Sequence, residues 1–275
     1  MKLKDKVAIV TGAGRGIGRA IALAFAREGA DIVVFSRTLS EVEETANQIR
    51  ALGRRALALR VDVSQKEAAE NMVESALREF GKIDVLVNNA GILGPIGPLV
   101  ENDPSHWVET IKVNLIGTFL CCKAVLPIMI KQGRGKIINL SGGGAAYPRP
   151  RFSAYGASKA AVVRLTETLA EELKEFNVQV NAIAPGAINT RIQGEILAAG
   201  EVAGEKALAE ARKARETGGT PPNVPAALAV FLASDESDGL TGKLISAVWD
   251  DWQSMGKRVS EIMSTELYTL RRVTK

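Results

Sequence analysis

Cysteine and histidine are nearly absent from this chain, which holds two of the first and one of the second in 275 residues. Cys121 and Cys122 are neighbours in one expected helix, which excludes a disulfide framework and reads as a pair of buried thiols in a reducing compartment. His106 has no cysteine or second histidine to complete a metal-ligand set, so it is read as structural. No apolar run approaches the roughly 20 residues that span a bilayer before a charge or a glycine interrupts it, and no membrane partner is expected. The opening Met1-Lys2-Leu3-Lys4-Asp5-Lys6 leads into an apolar stretch too short for an export signal, so the expected location is cytoplasmic. A surplus of one charge is lacking too. Lys and Arg number 35 against 31 Asp and Glu, with both signs interspersed, which argues against nucleic acid as a partner.

What the sequence does have is 46% hydrophobic residues, enough for a substantial core, arranged in a repeating theme. A short β-branched run, a glycine-rich or polar turn and a helix-period segment follow one another along the chain. That is the pattern of a parallel sheet covered on both faces. Strands are expected at Val7–Val10, Ile32–Phe35, Ala56–Val61, Val85–Asn88, Lys136–Leu140, Gln179–Ile183 and Leu244–Ala247. Helices are expected near Gly16–Glu28, Ser40–Leu52, Lys66–Phe80, Pro104–Lys131, Ser153–Glu175 and Pro225–Ser234. The fold class is therefore α/β, a single domain over residues 1–252 with one open seven-stranded parallel sheet flanked by helices on both faces. Two stretches depart from the theme. Residues 187–224, rich in Ala, Glu, Gly and basic residues, read as a mobile, partly helical flap over a substrate. Residues 253–275 read as a docking helix with Val259, Ile262, Met263, Leu267 and Leu270 on one apolar face.

The first strand ends in Thr11-Gly12-Ala13-Gly14-Arg15-Gly16-Ile17-Gly18 and passes directly into a helix, the setting a phosphate-binding turn requires. Gly12 allows the sharp turn, Gly16 lets backbone approach a pyrophosphate, and Gly18 lets helix pack on strand. The helix start offers free N–H groups and the positive end of a dipole to an anion. After the second strand a carboxylate would bond a ribose diol, whereas a cation would accept a 2′-phosphate. Here Ser36-Arg37 stands, and Arg37 together with Arg15 favours NADP(H), with NAD(H) the lesser alternative. Asp62 and Val63 follow the third strand, where Asp62 either caps the adenine edge or is a plain turn residue. Asn88-Asn89-Ala90-Gly91 follows the fourth, with side chains small enough to leave room for a ribose and its base.

Tyr155 and Lys159 stand four apart at the start of an expected helix, so phenol and ammonium share a face. A tyrosine near its ordinary pKa of about 10 is a poor base at neutral pH, and a cation one turn away favours the phenolate.

Taken together, the Thr11-to-Gly18 turn, Asn88-Asn89-Ala90-Gly91, Asn114 in Lys112-Val113-Asn114-Leu115, Tyr155-x-x-x-Lys159 and Pro185-Gly186 resemble the short-chain dehydrogenase/reductase family over about residues 5–247. The resemblance implies a single doubly wound domain of the Rossmann type and a dehydrogenase that moves hydride between the cofactor and a small carbonyl or secondary alcohol, commonly as a tetramer, with a dimer the alternative. An NAD-dependent dehydrogenase of polyols or sugars is the rival activity. It implies Tyr155 as acid/base, Lys159 as the residue that orients the nicotinamide ribose and lowers the tyrosine pKa, and Asn114 as holder of a relay water. Pro185, Gly186, Ala187 and Ile188 would line the nicotinamide, and Thr190 would bond its carboxamide or a phosphate.

Two departures stand out. The family's substrate-binding serine would fall at Gly142, and the nearest hydroxyl is Ser141, which either replaces it or simply ends the strand, in which case the alternative is a nucleotide-binding protein with weak or no turnover. The family's acidic residue and two glycines after the last strand are replaced by Val248-Trp249-Asp250-Asp251-Trp252, whose tryptophans suit packing, a subunit contact or a substrate pocket. Arg149 and Arg151, flanking Pro150, either meet an anionic substrate or lie as solvated loop charges.

Overall fold

A computed structural model of the chain describes residues 1–272. Within them seven parallel strands form one sheet: β1 (Val7–Thr11), β2 (Asp31–Ser36), β3 (Ala56–Arg60), β4 (Val85–Asn88), β5 (Gly135–Leu140), β6 (Val178–Ala184) and β7 (Leu244–Ser246). Their order across the sheet is β3-β2-β1-β4-β5-β6-β7. The chain runs outward one way from β1, then returns to start the other half at β4. Beyond the carboxyl ends of β1 and β4 the connections diverge, which opens a crevice there.

The strands read as near-continuous apolar runs because both faces are covered. One face meets α1 (Gly16–Arg27) and α2 (Leu39–Ala51), with Ile21, Phe25, Val42 and Ile49 fully buried. The other meets α3 (Lys66–Phe80) and the run from Pro104 to Gln132, through Met72, Cys121, Val125 and Met129. That run is not one regular helix. It comprises α4 (Pro104–Ile111), a π-helical turn (Lys112–Ile116) and α5 (Gly117–Gln132). By length and composition it is also apolar enough to cross a bilayer, although it contains Pro127 and turns its cysteines and Met129 into the sheet. α6 (Ser153–Glu172) completes the cover.

The stretch expected as a flap is built as two helices, α7 (Arg191–Ala199) and α8 (Glu205–Thr217), joined by a 3₁₀ turn (Gly200–Ala203). Ile196, Ala203 and Ala211 bury themselves with Leu93, Phe152 and Tyr155, so this hairpin has its own small core against the Tyr155 region. α9 (Asn223–Ala233) then returns to the α1 side of the sheet, buried on nearly every position.

The carboxyl segment departs from the expected docking helix. A 3₁₀ stretch (Trp252–Lys257) and a single short helix, α10 (Val259–Met263), give way to turns and irregular chain, and Tyr268 takes a left-handed φ of 61°. Ser264 and Thr265 hydrogen-bond back onto Glu261 and Ile262 and cap the helix early, as hydroxyl residues do by competing for backbone groups. Beyond α10 the chain lies along the outer side of β7: Leu244 N–H donates to Tyr268 O at 2.7 Å, and Lys243 Nζ donates to Thr265 O and Leu267 O at 3.1 and 3.0 Å. Ile262 and Met255 are fully buried, whereas Leu267 is half exposed. Trp252 tilts against Phe231 with ring centroids 5.9 Å apart, and Trp249 projects into solvent. Residues 273–275 of the expected 253–275 helix lie outside the described residues.

Candidate active site

A cleft of about 470 Å³ opens over the carboxyl ends of the strands. At one end the β1–α1 turn forms its floor. Gly12 and Gly16 take φ of 63° and 56°, values that favour glycine, and a Cβ at Gly12 would crowd Ala90 at 3.0 Å. Gly18 lies buried behind the turn, where a side chain would strike the Gly12 carbonyl. Thr11 Oγ1 accepts the N–H groups of Asn89 and Ala90 at 2.9 and 2.8 Å, and Asn89 Nδ2 donates to Thr11 O at 2.9 Å. These bonds lock the two diverging loops together across the crevice. Asn89 is thus a lock on the loops whose flank lines the cleft.

At the start of α1, Arg15 makes no side-chain cap and the first turn carries no acidic residue, so the leading N–H groups face the cleft unopposed. That is an anion seat, and a pyrophosphate fits its chemistry. Gly12, Gly14, Arg15, Gly16, Ile17, Ser36, Arg37, Asp62, Val63, Asn89, Ala90 and Gly91 all line this half. Asp62 Oδ1 accepts from Ser64 N and Oγ in a tight turn, at 3.0 and 2.8 Å, and the residue also lines the cleft.

One residue here escaped the sequence reading. Glu41, in the first turn of α2, lies in the same half and its carboxylate bonds Arg15 Nη1 at 3.0 Å. The contact exists because Gly14 has no side chain, since a Cβ there would come 2.7 Å from that of Glu41. The signal in the sequence was a glycine whose partner lies 27 residues further on, and no local spacing reveals such a pair. Arg37 is exposed and makes no ion pair or side-chain hydrogen bond among the described residues.

At the other end, α6 delivers Tyr155 and Lys159 from its first two turns, both buried. Lys159 Nζ donates to Leu140 O at 2.7 Å and stands 5.8 Å from the Tyr155 ring centroid. Burial holds its pKa down at about 8. Burial pushes the Tyr155 phenol above its ordinary value, and the Arg149 guanidinium opposes that rise. Tyr155 Oη makes no hydrogen bond among the described residues, and the position of a Gly142 Cβ overlaps it, with Cζ 3.1 Å away. The hydroxyl therefore occupies the space that a side chain at Gly142 would fill.

Ser141 is buried, lines the cleft with Tyr155 and Lys159, and its Oγ has no partner in the structure. A buried hydroxyl left unbonded is costly, about 1–3 kcal/mol, unless a ligand completes it.

Asn114 falls on the π-helical turn and does not reach the cleft surface. Its Nδ2 donates to Ile92 O and Ser158 Oγ at 2.9 and 3.0 Å, and its Oδ1 accepts from Ile92 N at 2.8 Å. Both amide protons are thereby committed, one to the β4–α4 loop at Ile92 and the other to Ser158 on α6. Only the remaining lone pair of Oδ1, which lies against Gly91, is left for a relay water.

Pro185 and Thr190 line the cleft, with Asn189, Arg191 and Ile192 beside them. Gly186 and Ile188 stand behind it. A Cβ at Gly186 would strike Val248, and Ile188 is buried and bridged to Gly219. The Ile188 side chain, expected on the nicotinamide, is drawn inward by that antiparallel bridge.

A family model described as short chain dehydrogenase matches residues 6–200. The chain belongs to that family. It is 38% identical over 245 residues to 3-oxoacyl-[acyl-carrier-protein] reductase FabG of Thermotoga maritima, covering 89% of this chain and 97% of the relative. It is 39% identical over 242 residues to 3beta-hydroxysteroid dehydrogenase 1 of Eggerthella lenta, covering 87% and 91%. Among solved structures, NAD+-bound xylitol dehydrogenase superposes with a TM-score of 0.83 at 32% identity, over 90% of this chain and 98% of that one. Membership makes this short-chain dehydrogenase an oxidoreductase with a nicotinamide dinucleotide as cofactor and a small molecule as substrate.

Proposed function

We propose that this protein interconverts a carbonyl and a secondary alcohol with NADP(H) as its preferred cofactor, Tyr155 serving as acid and base. The observation that carries the reading is the unbonded Tyr155 hydroxyl, held in the cleft between Gly142, Lys159 and the partnerless Ser141 Oγ. When bound, the dinucleotide supplies hydride to the substrate carbon or takes it away. In reduction, Tyr155 gives its proton to the carbonyl oxygen and Ser141 Oγ orients that oxygen by a hydrogen bond. Lys159 places its positive charge beside the phenol as the proton leaves. The lone pair of Asn114 Oδ1 near Gly91 supports a water that restores the proton. Pro185 and Thr190 would hold the nicotinamide half, and the β1–α1 turn the pyrophosphate.

Arg37 supports NADP(H), because its guanidinium pairs with no carboxylate among the described residues and the residue lines the cleft just beyond β2, where a cation would suit a 2′-phosphate. Glu41 favours the rival reading, since a carboxylate bonded to Arg15 in that half also suits a ribose diol. The two are separated by comparing kcat/KM for NADPH and NADH in one assay, where a higher value for NADH would refute the preference. Tyr155→Phe tests the mechanism: turnover should fall by about 10²-fold or more, with dissociation constants for the cofactor unchanged within about twofold. Turnover near that of the parent would remove Tyr155 from its role.

We also propose a homo-oligomer, a tetramer or a dimer, supported by Val108, Ile116 and Phe119 left exposed along α4 and α5. Light scattering at micromolar concentration decides it, and a monomer there would overturn the proposal.

A further inference from the structure

The loop between β5 and α6 carries three glycines in a row, Gly142 to Gly144, followed by Arg149-Pro150-Arg151. Arg149 folds back over this loop. Its guanidinium carbon lies 4.3 Å from the centroid of Phe152 and 5.9 Å from that of Tyr155, and its Nη1 is 3.2 Å from where a Cβ on Gly143 would stand. Stacking on a buried phenyl ring holds a guanidinium in place at little entropic cost while leaving its planar edge of N–H donors open. Among the described residues that edge meets nothing: Arg149 forms no ion pair and donates no hydrogen bond, and the residue is only half buried. Its neighbours are engaged. Arg151 donates to Val202 O at 3.2 Å, and Arg191, on the near wall of the cleft, pairs with Glu195 at 3.0 Å. Successive glycines thus face the two groups in turn, Gly142 the phenol oxygen and Gly143 the free guanidinium, with Gly143 itself open to solvent.

We infer that Arg149 is a substrate-binding residue and that the substrate is an anionic carbonyl compound, carrying a carboxylate or phosphate group a few bonds from the carbon that reacts at Tyr155. This rests on the proposed oxidoreductase reading and deepens it. The glycine run supplies the space: the phenol takes the position a side chain at Gly142 would fill, and a side chain at Gly143 would crowd the guanidinium that such a substrate must reach. Charge-assisted bonds from a guanidinium contribute about 1.5–3 kcal/mol, which is a discrimination of about 10- to 100-fold between an anion and its neutral counterpart. Arg149 is also near enough to ease the ionisation of Tyr155, but that influence acts on neutral and anionic substrates alike.

The test is a matched-pair assay on the full chain with reduced cofactor, setting short- to medium-chain 2-oxo and 3-oxo acids against their methyl esters, and dihydroxyacetone phosphate against dihydroxyacetone. The parent protein should favour the anionic member of the carboxylate or the phosphate pair by about tenfold or more in kcat/KM, the favoured pair naming the group. In Arg149→Gln that ratio should collapse to within about twofold through KM for the anion, while any change in kcat from its influence on Tyr155 falls on both members equally. Arg149→Lys should keep part of the preference, and added salt should raise KM for the anion in the parent but not in Arg149→Gln. Equal loss on both members of the pair, or a parent that prefers the neutral one, removes Arg149 from substrate binding while leaving the redox reading intact. If NADPH and NADH bind but no member of any pair is reduced, the redox reading falls and this inference with it.

Discussion

Gly142 and Tyr155 show how one absent side chain shapes the chemistry open to this site. The phenol oxygen stands where a Cβ at residue 142 would begin, so the missing serine is part of how the tyrosine is seated. Gly142→Ala, which adds that single carbon, should push the ring off its position and lower kcat by about tenfold or more, because misplacing a catalytic group by about an ångström is that costly. Steady-state kinetics with thermal melting checks it, and an alanine variant with full kcat would show that the phenol is seated elsewhere during turnover. At this scale the sequence was legible wherever chemistry is local. The Tyr155–Lys159 spacing put both groups in one cleft, and the Thr11-to-Gly18 turn announced the anion seat. Contacts between distant residues were not legible: the Arg15–Glu41 pair and the engagement of Asn114 with Ile92 depend on how loops from separate strands meet.

Among the elements, the strands fell within a residue or two of expectation, since continuous apolar runs between turn signals are unambiguous in a sheet buried on both faces. The long helix after Pro104 was read as one piece, because a π-turn adds a residue without disturbing apolar spacing enough to show. The tail was over-read as a helix: its apolar spacing was real, but Ser264 and Thr265 end α10 and the rest runs along β7. As an element the tail fastens the sheet. A chain ending at Trp252 would lose the burial of Met255 and Ile262 and leave the buried Lys243 and Glu167 without the partners that Thr265, Leu267, Leu270 and Arg271 provide. The expected cost is about 4 kcal/mol or more. Urea titration measures it, and an unchanged midpoint would mean the segment is ornamental.

Over the whole molecule, stability should depend on pH through a lysine that folding buries. Lys159 has its pKa lowered from 10.5 to about 8 in the folded protein, so between those values the unfolded chain holds the extra proton. Stability then rises with pH across that window, and below about 8 the penalty of burying the charge is present in full, at about 3 kcal/mol. Lys159→Met carries no such penalty. Its stability relative to the parent, both without cofactor, should be greatest below pH 8 and shrink by about that amount as pH approaches 10.5. Denaturation curves at several pH values and fixed ionic strength give the difference directly, and a constant offset would contradict it. The single parallel sheet of seven strands was legible from the alternation of strands and helices, whereas the order β3-β2-β1-β4-β5-β6-β7 depends on which way each crossover turns, which no local pattern states.

The segment laid along β7 is synthesised after every strand it helps to hold. While the chain is still on the ribosome, the outermost strand has one unpaired rim with nothing yet made to cover it, and such a rim invites pairing with a neighbouring nascent chain. Only when Tyr268 has emerged can that rim close, so this segment acts as a latch, and translation that stalls just short of it would leave the domain prone to sticking to its own kind.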